Sequence, residues 1–124
     1  MSCHSHSHAS VRQCWQRQAM HVRLALDPDE PRLVCSYLRH GEHLAQARPE
    51  AAWSVHEQML KLLLDTAEDA LLPSAWRLTC LDATGRPLAR LGMLVDDDEQ
   101  AARLQALTLR LARFSWRISG PASR

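Results

Sequence analysis

The sequence is poor in aromatic residues, glycine and proline, and it carries almost no net charge. Aromatic residues make up 5% of the 124 residues, and there are only four glycines and six prolines. Little glycine and proline, together with much leucine, alanine and arginine, favours helical structure. The formal net charge is +1, so we expect neither nucleic acid nor an acidic membrane surface as the partner.

Long hydrophobic runs, cysteine pairs and catalytic motifs are missing as well. No apolar run approaches the roughly 20 residues that span a bilayer, and the polar N-terminus lacks the apolar segment of a signal peptide. We therefore expect a cytoplasmic protein. The four cysteines form no Cys-x-x-Cys pair, which would mark a zinc or redox site. No nucleophile elbow, phosphate loop, dinucleotide fingerprint or zincin motif is present, so nothing in the sequence indicates an enzyme.

What the sequence does contain is enough apolar material for one folded domain. Hydrophobic residues are 46% and charged residues 23% of the chain, which is typical of globular proteins and too apolar for disorder throughout. We predict a disordered His-rich tail at 1–9, a single helical domain at 10–119, and a disordered C-terminal tail at 120–124.

Apolar residues recur at intervals of three and four along most of this domain, which is the spacing of helices with one buried face. The clearest run begins after Pro49 and stops at Pro73, and proline is common at both kinds of helix boundary. We predict an all-α fold, with four main helices in an antiparallel-type bundle and a short helical link before the last helix. The main helices are expected at 10–26, 29–47, 50–72 and 96–118.

The link between the last two main helices has two interpretations. Trp76–Leu81 and Leu88–Leu91, separated by a turn that contains Gly85, could form either two short helices or a β-hairpin. An isolated hairpin is only marginally stable in water, and the rest of the chain offers it no sheet. We therefore favour the helices.

The N-terminal tail is the first candidate site. Alternating imidazoles in a mobile chain can wrap a transition metal, and removal of Met1 would create an amine–backbone–imidazole nest at Ser2-Cys3-His4 that suits Cu²⁺ or Ni²⁺. Otherwise the tail is simply polar and disordered. The candidate ligands for Cu, Ni or Zn are Cys3, His4, His6 and His8.

A second candidate lies in the middle of the apolar stripe of the long helix. His56 and Glu57 occupy positions where polar groups are unexpected, and an inward His and Glu in a bundle can bind a metal or act as an acid–base pair. The alternative is a hydrogen-bonded His at the edge of the stripe beside a surface ion pair between Glu57 and Lys61.

Two further patterns involve the last helix. Arg103, Arg110 and Arg117 repeat every seven residues, and they either hold phosphates or pair with acids of the long helix. Those acids are Asp65, Glu68 and Asp69. Apolar residues outside the main stripes predict a surface for a protein partner or a homodimer. The residues concerned are Leu62 on the long helix and the row Leu109, Ala112 and Trp116 on the last helix.

Two segments of the chain resemble the FagA family, small bacterial proteins named for a gene next to a fumarase. The similar residues are Leu24-Ala-Leu-Asp27-Pro28-Asp-Glu-Pro31-Arg32-Leu33 with Tyr37-Leu38, and Leu62-Leu-Leu-Asp65-Thr66-Ala67 with Leu72-Pro73-x-x-Trp76-Arg77-Leu78-x-Cys80-Leu81-Asp82 and Arg86-Pro87-Leu88. The resemblance covers about residues 15–118. It implies a cytoplasmic bacterial protein expressed under iron limitation, encoded beside an iron-independent fumarase and a manganese superoxide dismutase. It implies no activity and no catalytic residues.

Two functions follow as hypotheses. The first is a non-enzymatic accessory protein of the iron-limitation response that acts through helix-mediated protein contacts. The second is a small protein that binds or buffers a transition metal through its N-terminal tail.

Overall fold

The computed structural model describes the backbone of residues 8–119 and the side chains of residues 10–114. Over these residues the fold is all helical and contains no strand, which confirms the predicted fold class. The α-helices are α1 (His8–Arg23), α2 (Arg32–Ala47), α3 (Ala52–Glu68), α4 (Ser74–Asp82), α5 (Gly85–Leu94) and α6 (Asp98–Ser119), and a 3-10 turn at Pro49–Ala51 leads into α3.

The link before the last helix is more regular than predicted. α4 and α5 are helices of 9 and 10 residues, so the hairpin alternative for this segment is wrong. The fold is therefore not described fully by four main helices, because α5 also contributes buried residues, Pro87 and Leu91.

Two of the predicted helix ends lie a few residues too far along the chain. α1 stops at Arg23 rather than at residue 26, because Ala25 adopts a positive φ of 50° and the N–H of Leu26 bonds back to the carbonyl of His21 at 3.1 Å. This is the bonding pattern of a Schellman C-cap. α3 stops at Glu68 rather than at residue 72, because Asp69 leaves the helical region and accepts a bond from the N–H of Leu71 at 3.0 Å.

The main core lies among α1, α2, α3 and α4. Its largest members are two indoles that are both buried and both hydrogen-bonded. The Trp15 N–H donates to the carbonyl oxygen of Tyr37 at 3.2 Å, and its ring stacks on the Tyr37 ring with centroids 5.6 Å apart. The Trp76 N–H donates to the carbonyl oxygen of Val22 at 2.8 Å. Each indole therefore adds a large apolar surface without leaving a buried donor unpaired.

Gly41 allows α2 to approach its neighbours closely at the centre of this core. A Cβ at this position would overlap the Sδ and Cε atoms of Met59 and would lie 3.1 Å from Nε1 of Trp15. Met59 is buried, so it has little room to move aside. The helix accepts the lower helical propensity of glycine here because the packing requires the space.

A second, smaller core joins α5 and α6 to the other side of α3. Its fully buried part consists of leucines, and a few half-buried side chains such as Trp53 surround them. The buried leucines are Leu60, Leu64, Leu91 and Leu107. The long helix α3 thus has two buried faces, which explains why ten of its residues are buried.

None of the described helices combines the length and the apolar character that a bilayer crossing requires.

Candidate functional site

His56 and Glu57 are both buried in α3, but they belong to different surroundings. Glu57 is directed to α6, where its carboxylate accepts two bonds from the guanidinium of Arg103, one of them from Nε at 2.9 Å. The ammonium of Lys61 lies 3.8 Å from the same carboxylate. His56 instead lines a groove next to α2 and α5. The two residues therefore do not form one inward polar site.

The ion pair of Glu57 accounts for its burial. The side chain is only 7% exposed, and a buried carboxylate is tolerated when its oxygens are paired and hydrogen-bonded. The predicted pairing with Lys61 is present, and the sequence pattern missed Arg103 as the main partner. The pairing with Arg103 could have been predicted from the repeat of arginines on the last helix, because one interpretation of that repeat was pairing with acids of the long helix.

Arg110, about two helical turns after Arg103, is paired with carboxylates of α3 in the same way. Its guanidinium donates to both carboxylate oxygens of Glu68, at 3.0 and 2.8 Å, and to Asp65 at 2.6 Å. These bonds raise the pKa of Arg110 above its usual value. Asp69 pairs with Arg23 on α1 at 2.9 Å rather than with the arginine row. The described part of the row is therefore occupied by carboxylates of α3 and is not free to hold phosphate.

A groove beside His56 is a candidate site among the described residues. It has a volume of about 360 Å³ and lies where α2, the 3-10 turn, α3 and α5 meet. The groove is lined by Glu42, Ala45, Gln46, Pro49, Ala52, His56, Arg90, Met93 and Leu94. Most of this lining is apolar, with a few polar groups that converge on it, which is the usual composition of a small-molecule site.

His56 is the polar centre of the groove. It is 4% exposed, and its Nδ1 atom is buried without a hydrogen-bond partner. Burial lowers the pKa of His56; the carboxylate of Glu42 acts in the opposite direction, and Arg90 lowers it further. The ring is therefore neutral near pH 7, with one nitrogen that donates and one that accepts.

Charged side chains of α2 and α5 surround this imidazole. Glu42 is only 12% exposed. Its carboxylate accepts a hydrogen bond from Nη2 of Arg86 at 3.0 Å and forms an ion pair with Nε of Arg86 at 2.6 Å. Arg90 lies one helical turn after Arg86 and is exposed. The sequence analysis did not single out Glu42, Arg86, Arg90 or Met93. The three residues of α5 could have been found from their spacing at 86, 90 and 93, which places them on one face of a helix. This spacing is informative only if the link is predicted to be a regular helix.

The predicted metal ligands lie largely outside the described residues. Cys3, His4 and His6 precede the described backbone, and the side chain of His8 is outside the described side chains. Between residues 10 and 114, no three His, Cys, Asp or Glu side chains are placed to hold a metal ion together. The tail as a site for Cu, Ni or Zn stays a prediction.

The described residues of the predicted interaction surface lie in two different environments. Leu62 is half-buried and packs against the main core, so only part of its side chain is accessible. Leu109 is 47% exposed on α6. Ala112, in the same row, is exposed. The side chain of Trp116 lies beyond those that the structure describes.

Comparisons of the chain with protein-family models, with curated proteins and with solved structures find no match. The resemblance to the FagA family is therefore neither supported nor contradicted by them, and the candidate sites are judged by their geometry alone.

Proposed function

We propose that this chain is a non-enzymatic accessory protein that acts through helix-mediated contacts with a protein partner or with a second copy of itself. The observation that supports the proposal is the exposed apolar row of α6. Leu109 is 47% exposed, although the opposite side of the same helix supplies buried Leu107 and Phe114 to the two cores.

The row has the spacing of a helix-packing seam. Ala102, Leu109 and Ala112 are exposed, and Trp116 continues the series seven residues after Leu109. Small residues beside one larger apolar residue let a second helix approach closely, as in ridge-and-groove packing. A single exposed leucine needs no explanation, but an apolar row along one helix suits an interface.

The polar groups of the described core also favour binding over catalysis. Glu57, which could have acted as an acid or a base, is held by Arg103 and Lys61, and His56 lies in a different environment. A general base needs a neighbouring group that orients it or a proton within reach. The groove offers an imidazole for recognition but shows no nucleophile beside it.

The resemblance to the FagA family supplies the proposed setting. In this proposal the protein belongs to the bacterial cytoplasm and is made under iron limitation. Its longer helices form an antiparallel-type bundle, an arrangement supported by the short connections between them, because a connection of a few residues favours antiparallel neighbours. The connection between α2 and α3 consists of only Arg48 and the 3-10 turn.

The oligomeric state tests the proposal. Size-exclusion chromatography with light scattering should show self-association of the full chain, or the chain should capture a specific protein from a lysate of iron-starved bacteria. Leu109→Lys places a charge in the row and should abolish the contact. Thr108→Lys adds the same charge to α6 outside the row and should have little effect. A monomer that captures no protein would contradict the proposal.

The second candidate function is the binding or buffering of a transition metal by the N-terminal tail. It is favoured by the sequence Cys3-His4-Ser5-His6-Ser7-His8, whose donors suit Cu, Ni or Zn. Metal titration of the full chain and of a chain without residues 2–9 separates the two functions. Tight binding that disappears with the tail supports the metal function, and a helix surface would be unaffected by the deletion.

A further inference from the structure

A cavity, the imidazole of His56 and an exposed guanidinium coincide at the groove between α2, α3 and α5. We propose that this groove binds a small amphipathic monoanion, whose carboxylate is recognised by Arg90 and His56 and whose apolar body covers Met93 and Leu94. None of the lining residues belongs to α6, so this site is separate from the outer row of that helix.

The charges of the groove favour an anion. Glu42 is the only acidic residue in the lining, and its carboxylate already forms an ion pair and a hydrogen bond with Arg86. The two charges of this pair offset each other locally. No carboxylate among the described residues pairs with Arg90. With His56 neutral, the groove keeps one uncompensated positive charge.

The imidazole of His56 provides a directional contact. The residue lines the groove, and its Nδ1 atom has no hydrogen-bond partner, so the hydrogen-bonding capacity of the ring is not used up within the fold. The neutral ring carries one N–H donor, and a carboxylate is purely an acceptor. A carboxylate in the groove therefore complements both the N–H of the imidazole and the guanidinium, whereas an ammonium ion would be repelled by the guanidinium.

The apolar side of the groove explains why the anion should carry a hydrocarbon portion. Met93 is 76% exposed although it lines the cavity, so a ligand that covers it removes apolar surface from water. Methionine also adapts its shape readily to different apolar ligands. The volume of about 360 Å³ is at the small end of the range of ligand pockets, which limits the body to a short chain or one ring.

The test uses octanoate as the probe, with octanamide as its neutral counterpart, titrated into the full chain by calorimetry and by amide NMR. Octanoate should bind saturably at one site, with chemical-shift changes concentrated around the groove. Octanamide should bind about tenfold more weakly, because it lacks the charge-assisted bond to Arg90.

Two substitutions at exposed positions probe the site without disturbing the core. Arg90→Gln should weaken octanoate binding about tenfold and leave octanamide unchanged, and Arg39→Gln, an exposed position on α2 outside the groove lining, is the matched control. Met93→Glu adds a repelling carboxylate and should remove octanoate binding.

Three results would overturn the proposal. These are the absence of saturable octanoate binding, equal affinity for octanoate and octanamide, and an octanoate affinity that Arg90→Gln and Arg39→Gln change to the same extent. Circular dichroism of each variant shows whether its helical fold is retained. The groove can fail these tests while self-association through α6 persists, so the two proposals are judged separately.

Discussion

The two sides of α3 are built in different ways. On one side, the core of α1, α2 and α4 consists of large apolar side chains and of indoles whose donors are bonded to backbone carbonyls. On the other side, α6 is attached through a few leucines and guanidinium–carboxylate pairs from Arg103 and Arg110, and of its described side chains it adds only Phe114 to the main core. The first side depends on burial and close packing, and the second depends partly on charge.

This difference has consequences for the stability of each side. Ionic screening does not weaken apolar burial, whereas ion pairs with an exposed partner are weakened by solvent and by added ions. Regions with few buried apolar contacts also open locally before the whole domain unfolds. We therefore expect α6 to open more readily than the core of α1 to α4.

The largest effect is expected when the main core is damaged. Trp76→Ala removes a fully buried indole and its bond to the carbonyl of Val22, so the free energy of unfolding should fall by about 3–5 kcal/mol. Urea unfolding followed by circular dichroism measures the loss. Leu71→Ala is the control, because Leu71 is 94% exposed and should change stability by less than about 0.5 kcal/mol. Similar losses in both variants would contradict this description of the core.

The tightness of the same core is tested at its glycine. Gly41→Ala forces a methyl group against Met59 and Trp15, and overpacking should exceed the gain in helix propensity, with a net loss of about 1–2 kcal/mol. Gly92 of α5 has open space around its Cβ position, so Gly92→Ala should stabilise the chain by about 0.5–1 kcal/mol. Thermal unfolding of the two variants should shift in opposite directions. A stabilised Gly41→Ala protein would show that this core is loosely packed.

The attachment of α6 is tested at Arg110. Arg110→Met keeps an apolar stem and removes the bonds to Glu68 and Asp65. The side chain is one-third exposed, so the loss should be only about 0.5–1 kcal/mol at low salt and smaller at high salt. Amide hydrogen exchange should accelerate in α6 and stay unchanged in α1 to α4. Arg113→Met, at an exposed position of the same helix, is the control, and equal acceleration in both variants would contradict the role of the ion pairs.

The smallest effect concerns His56, which lies close to both α2 and α5. Burial lowers its pKa in the folded chain, so the folded state binds fewer protons than the unfolded state. This contribution to stability is complete above the ordinary His pKa of about 6.5 and is lost as the pH falls through and below that value. Urea unfolding between pH 7 and pH 5 should show a smaller decline for His56→Gln than for the unchanged chain. An equal decline in both would contradict the lowered pKa.

Much of the fold could be predicted because helical periodicity is local. Prolines, acidic first turns and apolar spacing located the long helices to within a few residues at most ends. The predicted ends of α1 and α3 lie a few residues too far along the chain. Ala25 and Asp69 end these helices through backbone conformations that the residue pattern does not predict. The link was correctly predicted as helical, because the chain offers no sheet for a hairpin. It was not predicted to form two regular helices, and for this reason the face of α5 that lines the groove was missed.

Sequence by itself determined the helical class, the approximate segments and the list of polar residues on the apolar stripe, since each depends on residues within one or two turns of each other. Only the tertiary structure decided what those polar residues contact. His56 and Glu57 are neighbours in the chain, yet the turn of the helix directs one to a groove beside α2 and α5 and the other to Arg103, 46 residues away. Local spacing fixes the direction of a side chain on its own helix, but its partner depends on which helix packs there.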